Sequence, residues 1–366
     1  MRILHVITTL DTGGAERLIV DLLPRLKEMG HQVDLLVFNG AATPFREDLE
    51  QKGVTIHELT NVSGNPRHTE VYNPLNIIKL RRYLDKYDII HTHNTACQLY
   101  VPLASIFSRK HALLVTTEHN ATNRRRSIKW FRPIDRWMYN RYAAIICIAE
   151  QTRANLEKYI GKKSSICTIN NGVNIGNFIR PIKYVDRQEG YVITMVAGFR
   201  QQKDHETILR AFKHLPHHYR LQLVGYGPLY EHVKEMCREM GLEDQVQFMG
   251  VRLDVPDILE QSDIVVLSSH WEGLSLSSIE GMASGRPFIA SNVDGLRDIV
   301  GGAGVLFPHG NDKALAEAIM KLCENPAYYR QVAMACQERA RKYDISVMAE
   351  LYLKLYESLV PKLKGR

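Results

Sequence analysis

Apolar residues along this chain gather in two kinds of segment. Short, nearly continuous runs alternate with longer stretches in which apolar positions recur every three or four residues. The runs read as strands buried on both faces and the stretches as amphipathic helices, so the alternation predicts parallel sheets with helices on each side. A first series of runs covers Arg2 to Ile7, Gln32 to Phe38, Val54 to Thr60, Asp88 to His93, Leu113 to His119, Ala143 to Ala149 and Ser165 to Asn170. A second covers Tyr191 to Phe199, Arg220 to Gly225, Val246 to Gly250, Asp263 to Ser269, Arg286 to Ser291 and Gly304 to Phe307. The series break between Asn174 and Gly190, where Pro181 and several charges interrupt the pattern. Two α/β domains are expected, 1–178 and 179–344, followed by a helical tail from about Ile345 to Leu363.

Composition agrees with that division. A chain of 366 residues exceeds one typical domain, 45% hydrophobic content can fill sizeable cores, and 24% charged is ordinary for a soluble protein. No apolar run approaches the roughly 20 residues a spanning helix needs. Met1-Arg2-Ile3 leads straight into a strand rather than a signal peptide, so the cytoplasm is the expected location. Six cysteines are scattered without C-x-x-C spacing and several fall within apolar runs, which fits buried thiols in a reducing compartment. No zinc-type ligand cluster is evident, and neither a metal nor a cofactor is expected.

Charge is uneven. Up to Arg180 the chain carries 25 Lys and Arg against 16 Asp and Glu, whereas the remainder carries 22 against 24. The basic half is expected to meet something anionic. Its densest cluster, Arg124-Arg125-Arg126 with Lys129, Trp130, Phe131, Arg132, Arg136 and Trp137, mixes cations with aromatics. Either an interfacial segment on an anionic membrane or a solvated helix face would look this way. No recognition motif for nucleic acid accompanies the charge.

The most specific chemistry lies in Ser268 to Ser291, where Glu272 and Glu280 stand eight positions apart across a strand exit and a helix start. Gly273 permits a tight turn, and Ser275, Ser277 or Ser278 can cap the helix carrying Glu280. The backbone N–H groups of Gly273, Leu274 and Ser275 would then face an anion. Carboxylates beside a phosphate need neutral partners, so Glu272 suits a sugar hydroxyl and Glu280 a ribose diol. The small residues Gly281, Ala283, Ser284 and Gly285 let this helix pack close to backbone.

Further motifs follow other strands: Thr12-Gly13-Gly14-Ala15-Glu16-Arg17, Thr117-Glu118-His119, Asn171-Gly172-Val173, Gln202-Lys203-Asp204 and Gly225-Tyr226-Gly227-Pro228. In order and spacing they resemble, over nearly the whole length, the retaining GT-B glycosyltransferases that share an E-x7-E signature, glycosyltransferase family 4 with its group 1 transferases. The resemblance implies two Rossmann-like parallel-sheet domains facing across a cleft. The first would bind the acceptor and receive the C-terminal helix, 345–366; the second would bind a nucleotide sugar. It further implies that Gly13 and Gly14 approach the donor diphosphate, that Val251 and Arg252 border the base, and that His119 meets the transferred sugar. Lys203, with Arg200 three residues before it, would neutralise the departing diphosphate. The D-x-D pair of the other large glycosyltransferase fold is missing from the motifs, so metal independence is expected. Family members usually carry Arg directly after a Gly or Ala in the Lys203 loop, whereas here Gly198 is followed by Phe199 and only then Arg200. His91 and His93, ending a strand, read as structural or acceptor-facing.

The expected function is transfer of a hexosyl unit from a nucleotide diphosphate sugar, UDP foremost, to an acceptor hydroxyl on a lipid-linked sugar or glycan, as in bacterial surface polysaccharide assembly. Two alternatives stand beside it: a nucleotide-sugar epimerase on the same fold, and a non-catalytic partner subunit of a polysaccharide assembly complex.

Overall fold

The computed structural model describes residues 1–361 except 12, 41, 61–71, 111, 121–123 and 187–189. Within these the chain forms two compact units, 1–172 with 345 onward, and 173–344. The crossing falls at Gly172 and Val173, six residues before the expected 178/179 boundary. Val173, Ile175 and Phe178 are buried in the core of the second unit, which draws the chain in early. The motif Asn171-Gly172-Val173 is thus the crossing itself. The Gly172 N–H lies 3.0 Å from Met348 Sδ and the Val173 N–H donates to the Tyr343 carbonyl at 2.9 Å.

The first unit is a seven-stranded parallel sheet: β1 (Arg2–Ile7), β2 (Gln32–Asn39), β3 (Thr55–Thr60), β4 (Ile89–His93), β5 (Leu113–Glu118), β6 (Ala144–Cys147) and β7 (Ile166–Thr168). Spatial order is β3-β2-β1-β4-β5-β6-β7, so connections reverse direction between β1 and β4. The helix Ile345–Leu359 belongs to this unit, burying Met348, Ala349, Tyr352 and Tyr356 in its core near the helix Gly14–Glu28. The last residues of the expected tail, 362–366, lie outside the described residues.

The second unit is a six-stranded parallel sheet: β8 (Val192–Val196), β9 (Arg220–Val224), β10 (Val246–Gly250), β11 (Ile264–Leu267), β12 (Phe288–Ser291) and β13 (Val305–Phe307). Its order is β10-β9-β8-β11-β12-β13, reversing between β8 and β11. Parallel strands covered by helices need apolar residues on both faces, and β11 and β12 are buried at every position. Every expected strand is present, each within a few residues of its predicted ends.

Open parallel sheets bind ligands at the carboxyl ends of the strands where the order reverses. That rule selects the loops after β1 and β4 in one unit and after β8 and β11 in the other. Among the described residues no helix is long and apolar enough to cross a membrane.

Candidate active site

In the second unit, the loops leaving β8 and β11 are laced together. The His270 N–H donates to the Gln202 carbonyl (2.8 Å), and the Gln202 amide donates back to the Trp271 carbonyl (2.9 Å) and to Glu272 Oε2 (3.1 Å). Ser269 Oγ donates to Glu272 Oε1 at 2.7 Å, and Lys203 Nζ forms an ion pair with the same oxygen. The side chains of Lys203 and Glu272 are 17% and 5% exposed, so the pair is held away from bulk water. The structure therefore brings together the two residues the sequence assigned to separate tasks. A largely buried carboxylate needs compensating donors, and Lys203, Ser269 and Gln202 supply them. Sequence reasoning missed Gln202 and Ser269, although both stand in the quoted segments.

The helix Leu276–Ala283 starts with Ser275 as its cap, accepting from the Ser278 N–H. Among the described residues, the N–H groups of Gly273, Leu274 and Ser275 donate to no backbone or side-chain acceptor, leaving them available to an anion. Gly273 lies in a bend, with an ordinary φ and open space where a Cβ would stand, so its smallness leaves room beside the loop. The glycine that the backbone requires is Gly295, at φ +81°, where a Cβ would lie 2.2 Å from the Gly273 carbonyl oxygen. Glu280 is half-buried within the helix. Gly281 lets that helix approach the sheet: a Cβ there would stand 2.7 Å from the Phe288 ring.

The remaining second-unit motifs divide. Gly225 (φ +139°) and Gly227 let the loop after β9 lie against the exit of β8, where Cβ atoms would meet the carbonyl oxygens of Ala197 (2.1 Å) and Phe199 (2.5 Å). Phe199 fills the core and stacks on His205, which places Arg200 on the exposed side of the loop. Val251 is exposed, and Arg252 donates through Nε to Asp254 at 2.7 Å.

In the first unit, imidazoles line up across three strands. His5 on β1 is in register with His91 on β4. His5 Nδ1 lies 3.0 Å from His93 Nε2, and His93 Nδ1 lies 2.9 Å from His119 Nε2. His91 is tied to Tyr356 (2.5 Å) and Thr117 (2.7 Å). Burial lowers all four, His5 to about 3 and His119 to about 4, so all are neutral at pH 7. His5, His91 and His93 have the spacing of a metal trio; the bonds just described engage both nitrogens of His91 and His93 and Nδ1 of His5. Next to them, Asn94 adopts φ +71° and donates to Thr8 Oγ1 (3.2 Å) and Glu16 Oε1 (3.5 Å). Burial raises the Glu16 pKa. Gly13 makes room for Glu16 to fold back, since a Cβ would lie 2.2 Å from Glu16 Oε2; beside Gly14 there is open space. Thr12 lies outside the described residues. His5, Asn94 and Glu16 went unassigned from sequence; the one available signal for His5 was a polar residue inside an apolar strand.

Glu118 has a structural task. It is buried and takes Arg126 (2.6 Å), Gln98 (2.8 Å) and the Tyr139 hydroxyl (2.5 Å). Arg125 likewise stands 2.7 Å from Asp135 Oδ1, both buried. The basic cluster is therefore split: two of its arginines are interior counter-ions, while Trp130, Ile134 and Trp137 remain exposed. The side chains of Arg124 and Lys129 lie outside the described residues.

Comparison with known proteins gives the family. Residues 12–177 fit the family model described as Glycosyltransferase Family 4, and residues 181–343 that described as Glycosyl transferases group 1. The chain is 26% identical over 375 aligned positions to "Lipopolysaccharide core biosynthesis glycosyltransferase LpsD" of Rhizobium meliloti, covering 99% of this chain and 100% of that one. It is 27% identical over 229 positions, 58% of this chain and 59% of the relative, to the Escherichia coli "UDP-Gal:alpha-D-GlcNAc-diphosphoundecaprenol alpha-1,3-galactosyltransferase". The crystal structure of Anabaena HepE with UDP and glucose superposes with a TM-score of 0.82 at 20% identity, covering 98% of this chain and 100% of HepE. The chain belongs to the glycosyltransferases of the family 4 type, with a GT-B fold.

Proposed function

We propose that this glycosyltransferase is retaining and metal-independent, and moves a hexosyl unit from a UDP-sugar to a hydroxyl of a lipid-linked sugar or glycan in bacterial surface polysaccharide or glycolipid assembly. The reading rests on one observation: the Lys203–Glu272 pair beside the undonated N–H groups of Gly273, Leu274 and Ser275. Cation and N–H groups suit a diphosphate, and a carboxylate beside them suits the hydroxyls of the attached sugar. Relatives named for lipopolysaccharide core synthesis and for a UDP-Gal donor with a diphosphoundecaprenol acceptor support the substrate class.

In this mechanism the donor diphosphate takes over the Lys203 ammonium, joined by Arg200, and Glu272 is released to hold sugar hydroxyls. Glu280 holds the ribose, Val251 and Arg252 border the base, and Gly13 and Gly14 give the diphosphate room. The glycosidic C–O bond to the diphosphate breaks while the acceptor oxygen attacks the same sugar face. The departing diphosphate oxygen accepts the acceptor's proton. Lys203, Arg200 and the backbone N–H groups carry the developing negative charge, the task a metal performs elsewhere. His119 and its neighbours at the ends of β1 and β4 serve substrate hydroxyls. The protein would work in the cytoplasm, with exposed Trp130 and Trp137 among basic residues as the contact with an anionic membrane face.

Thermal stabilisation by a panel of UDP, GDP and ADP hexoses in chelator identifies the donor, and NMR of the product identifies the anomer. A product with the donor's own anomeric configuration is expected. An inverted anomer, or a free epimerised nucleotide sugar made without acceptor, would sink the reading.

A further inference from the structure

Three side chains outside the roles above converge at the carboxyl end of the second sheet. Asp204 ends the β8 loop, His270 stands in the β11 loop, and His309 follows β13. His270 Nδ1 lies 2.7 Å from His309 Nε2 and 3.6 Å from Asp204 Oδ2, and the three ligand atoms all lie within 4.8 Å of one another. Zinc bonds of about 2.0–2.1 Å in a tetrahedron set neighbouring ligand atoms about 3.3 Å apart. The separations straddle that value, so small side-chain rotations would bring the set onto one ion.

The carboxylate is already aimed. Asp204 sits at φ +44°, a left-handed conformation uncommon for a residue with a side chain, and its side chain is 2% exposed. Its two oxygens accept from the Thr207 N–H (3.2 Å) and the Thr207 hydroxyl (2.7 Å), the outer-shell arrangement that fixes ligating carboxylates. The backbone bond from His270 to Gln202 fixes the second loop, and Gly310 (φ +73°) turns the chain directly after His309. His270 is half-buried and His309 exposed, so one side of the cluster is open to solvent for entry and for a fourth ligand.

We propose that Asp204, His270 and His309 bind one divalent transition-metal ion, with water in the fourth position. Two imidazoles with one carboxylate favour Zn²⁺ over Mg²⁺ or Ca²⁺, which take oxygen ligands. The ion would clasp the same two loops that carry Lys203 and Glu272, since Asp204 follows Lys203 directly and His270 precedes Glu272 by two residues. It would thus stiffen the site from outside without touching the reacting atoms, and its presence does not depend on which sugar is transferred.

The test is calorimetric titration of Zn²⁺ into tag-free, chelator-treated protein, with Co²⁺ absorption as a geometric report. One equivalent should bind and raise the melting temperature, with tetrahedral Co²⁺ bands. His309→Ala, at an exposed position, and Asp204→Asn, which keeps the helix cap, should each weaken binding by at least about tenfold. The control His217→Ala/His218→Ala should bind as the parent does. No detectable binding, or undiminished binding in a His270→Ala/His309→Ala double variant, overturns the proposal; neither result would bear on the transferase reading.

Discussion

Lys203 and Glu272 are each other's counter-ion, and that makes the effect of changing either one separable into two parts. Lys203→Ala leaves a largely buried carboxylate with Ser269 and Gln202 as its remaining donors among the described residues, a loss of stability below the roughly 3–5 kcal/mol of a fully buried broken pair. It also removes the cation opposite the leaving diphosphate, for which a loss of about a hundredfold or more in turnover is expected. Adding Glu272→Gln should restore melting temperature but not turnover. Recovery of both would mean that the pair serves folding alone. The imidazole chain carries a second prediction at this scale. His5 Nε2 is buried with no hydrogen-bond partner among the described residues. A buried acceptor left alone is tolerated better than a buried N–H left alone, so each ring should pass its proton outward: His5 Nδ1–H to His93, and His93 Nδ1–H to His119. His119 then carries its own proton on Nδ1. Long-range ¹⁵N–¹H NMR should find that tautomer, neutral at about pH 6. A Nε2–H signal or an imidazolium there would reverse the chain.

Among the elements, the helix Leu276–Ala283 shows how small residues divide between packing and ligand. Gly281→Ala drives a methyl toward Phe288 and Val265 at 2.7 and 2.9 Å, an overpacking expected to cost about 1–3 kcal/mol. Gly273→Ala meets open space at an ordinary φ, so stability should move by less than about 0.5 kcal/mol. Donor affinity measured by titration should fall for Gly273→Ala even so, because the new methyl stands beside the N–H groups proposed to hold the diphosphate. Unchanged affinity would move the diphosphate elsewhere. Elements of this kind were legible from sequence because buried parallel strands leave long apolar runs and helix starts leave capping residues. Their ends were less so: the run Tyr191 to Phe199 outlasts β8 because Ala197 and Phe199 stay buried after the ladder stops. The Glu272 segment was readable since its residues are contiguous. The Lys203–Glu272 pair joins positions 69 apart, and Arg125 and Arg126 read as surface charge because their partners Asp135 and Glu118 are fixed only by tertiary folding.

For the molecule as a whole, the two units differ in what acid does to them. The first holds four neutral imidazoles, His5, His91 and His93 buried and His119 partly so; the second has His205, lowered to about 4 by burial and by Lys203. An unfolded histidine titrates near pH 6.5, so below that pH the unfolded chain binds protons that the folded chain refuses. Stability is therefore complete above about pH 6.5 and is lost as pH falls toward the folded values, each imidazole contributing a slope of up to about 1.4 kcal/mol per pH unit. Glu16 and Asp21, whose pKa values burial raises, act in the opposite sense, their folded forms taking up protons before the unfolded chain does. The tyrosines of the C-terminal helix are caught in the same network, because Tyr356 contacts His91 directly and Tyr352 lies 3.1 Å from the Thr117 hydroxyl that also binds it. Charging His91 would break the helix's polar attachment as well as the strand core. Hydrogen exchange read by mass spectrometry between about pH 6.5 and 5 should then show β1, β4, β5 and the helix Ile345–Leu359 losing protection together, ahead of β8 and β11. Earlier opening of the second unit, or protection in the first that does not change over this range, would mean that the four imidazoles do not govern its acid stability.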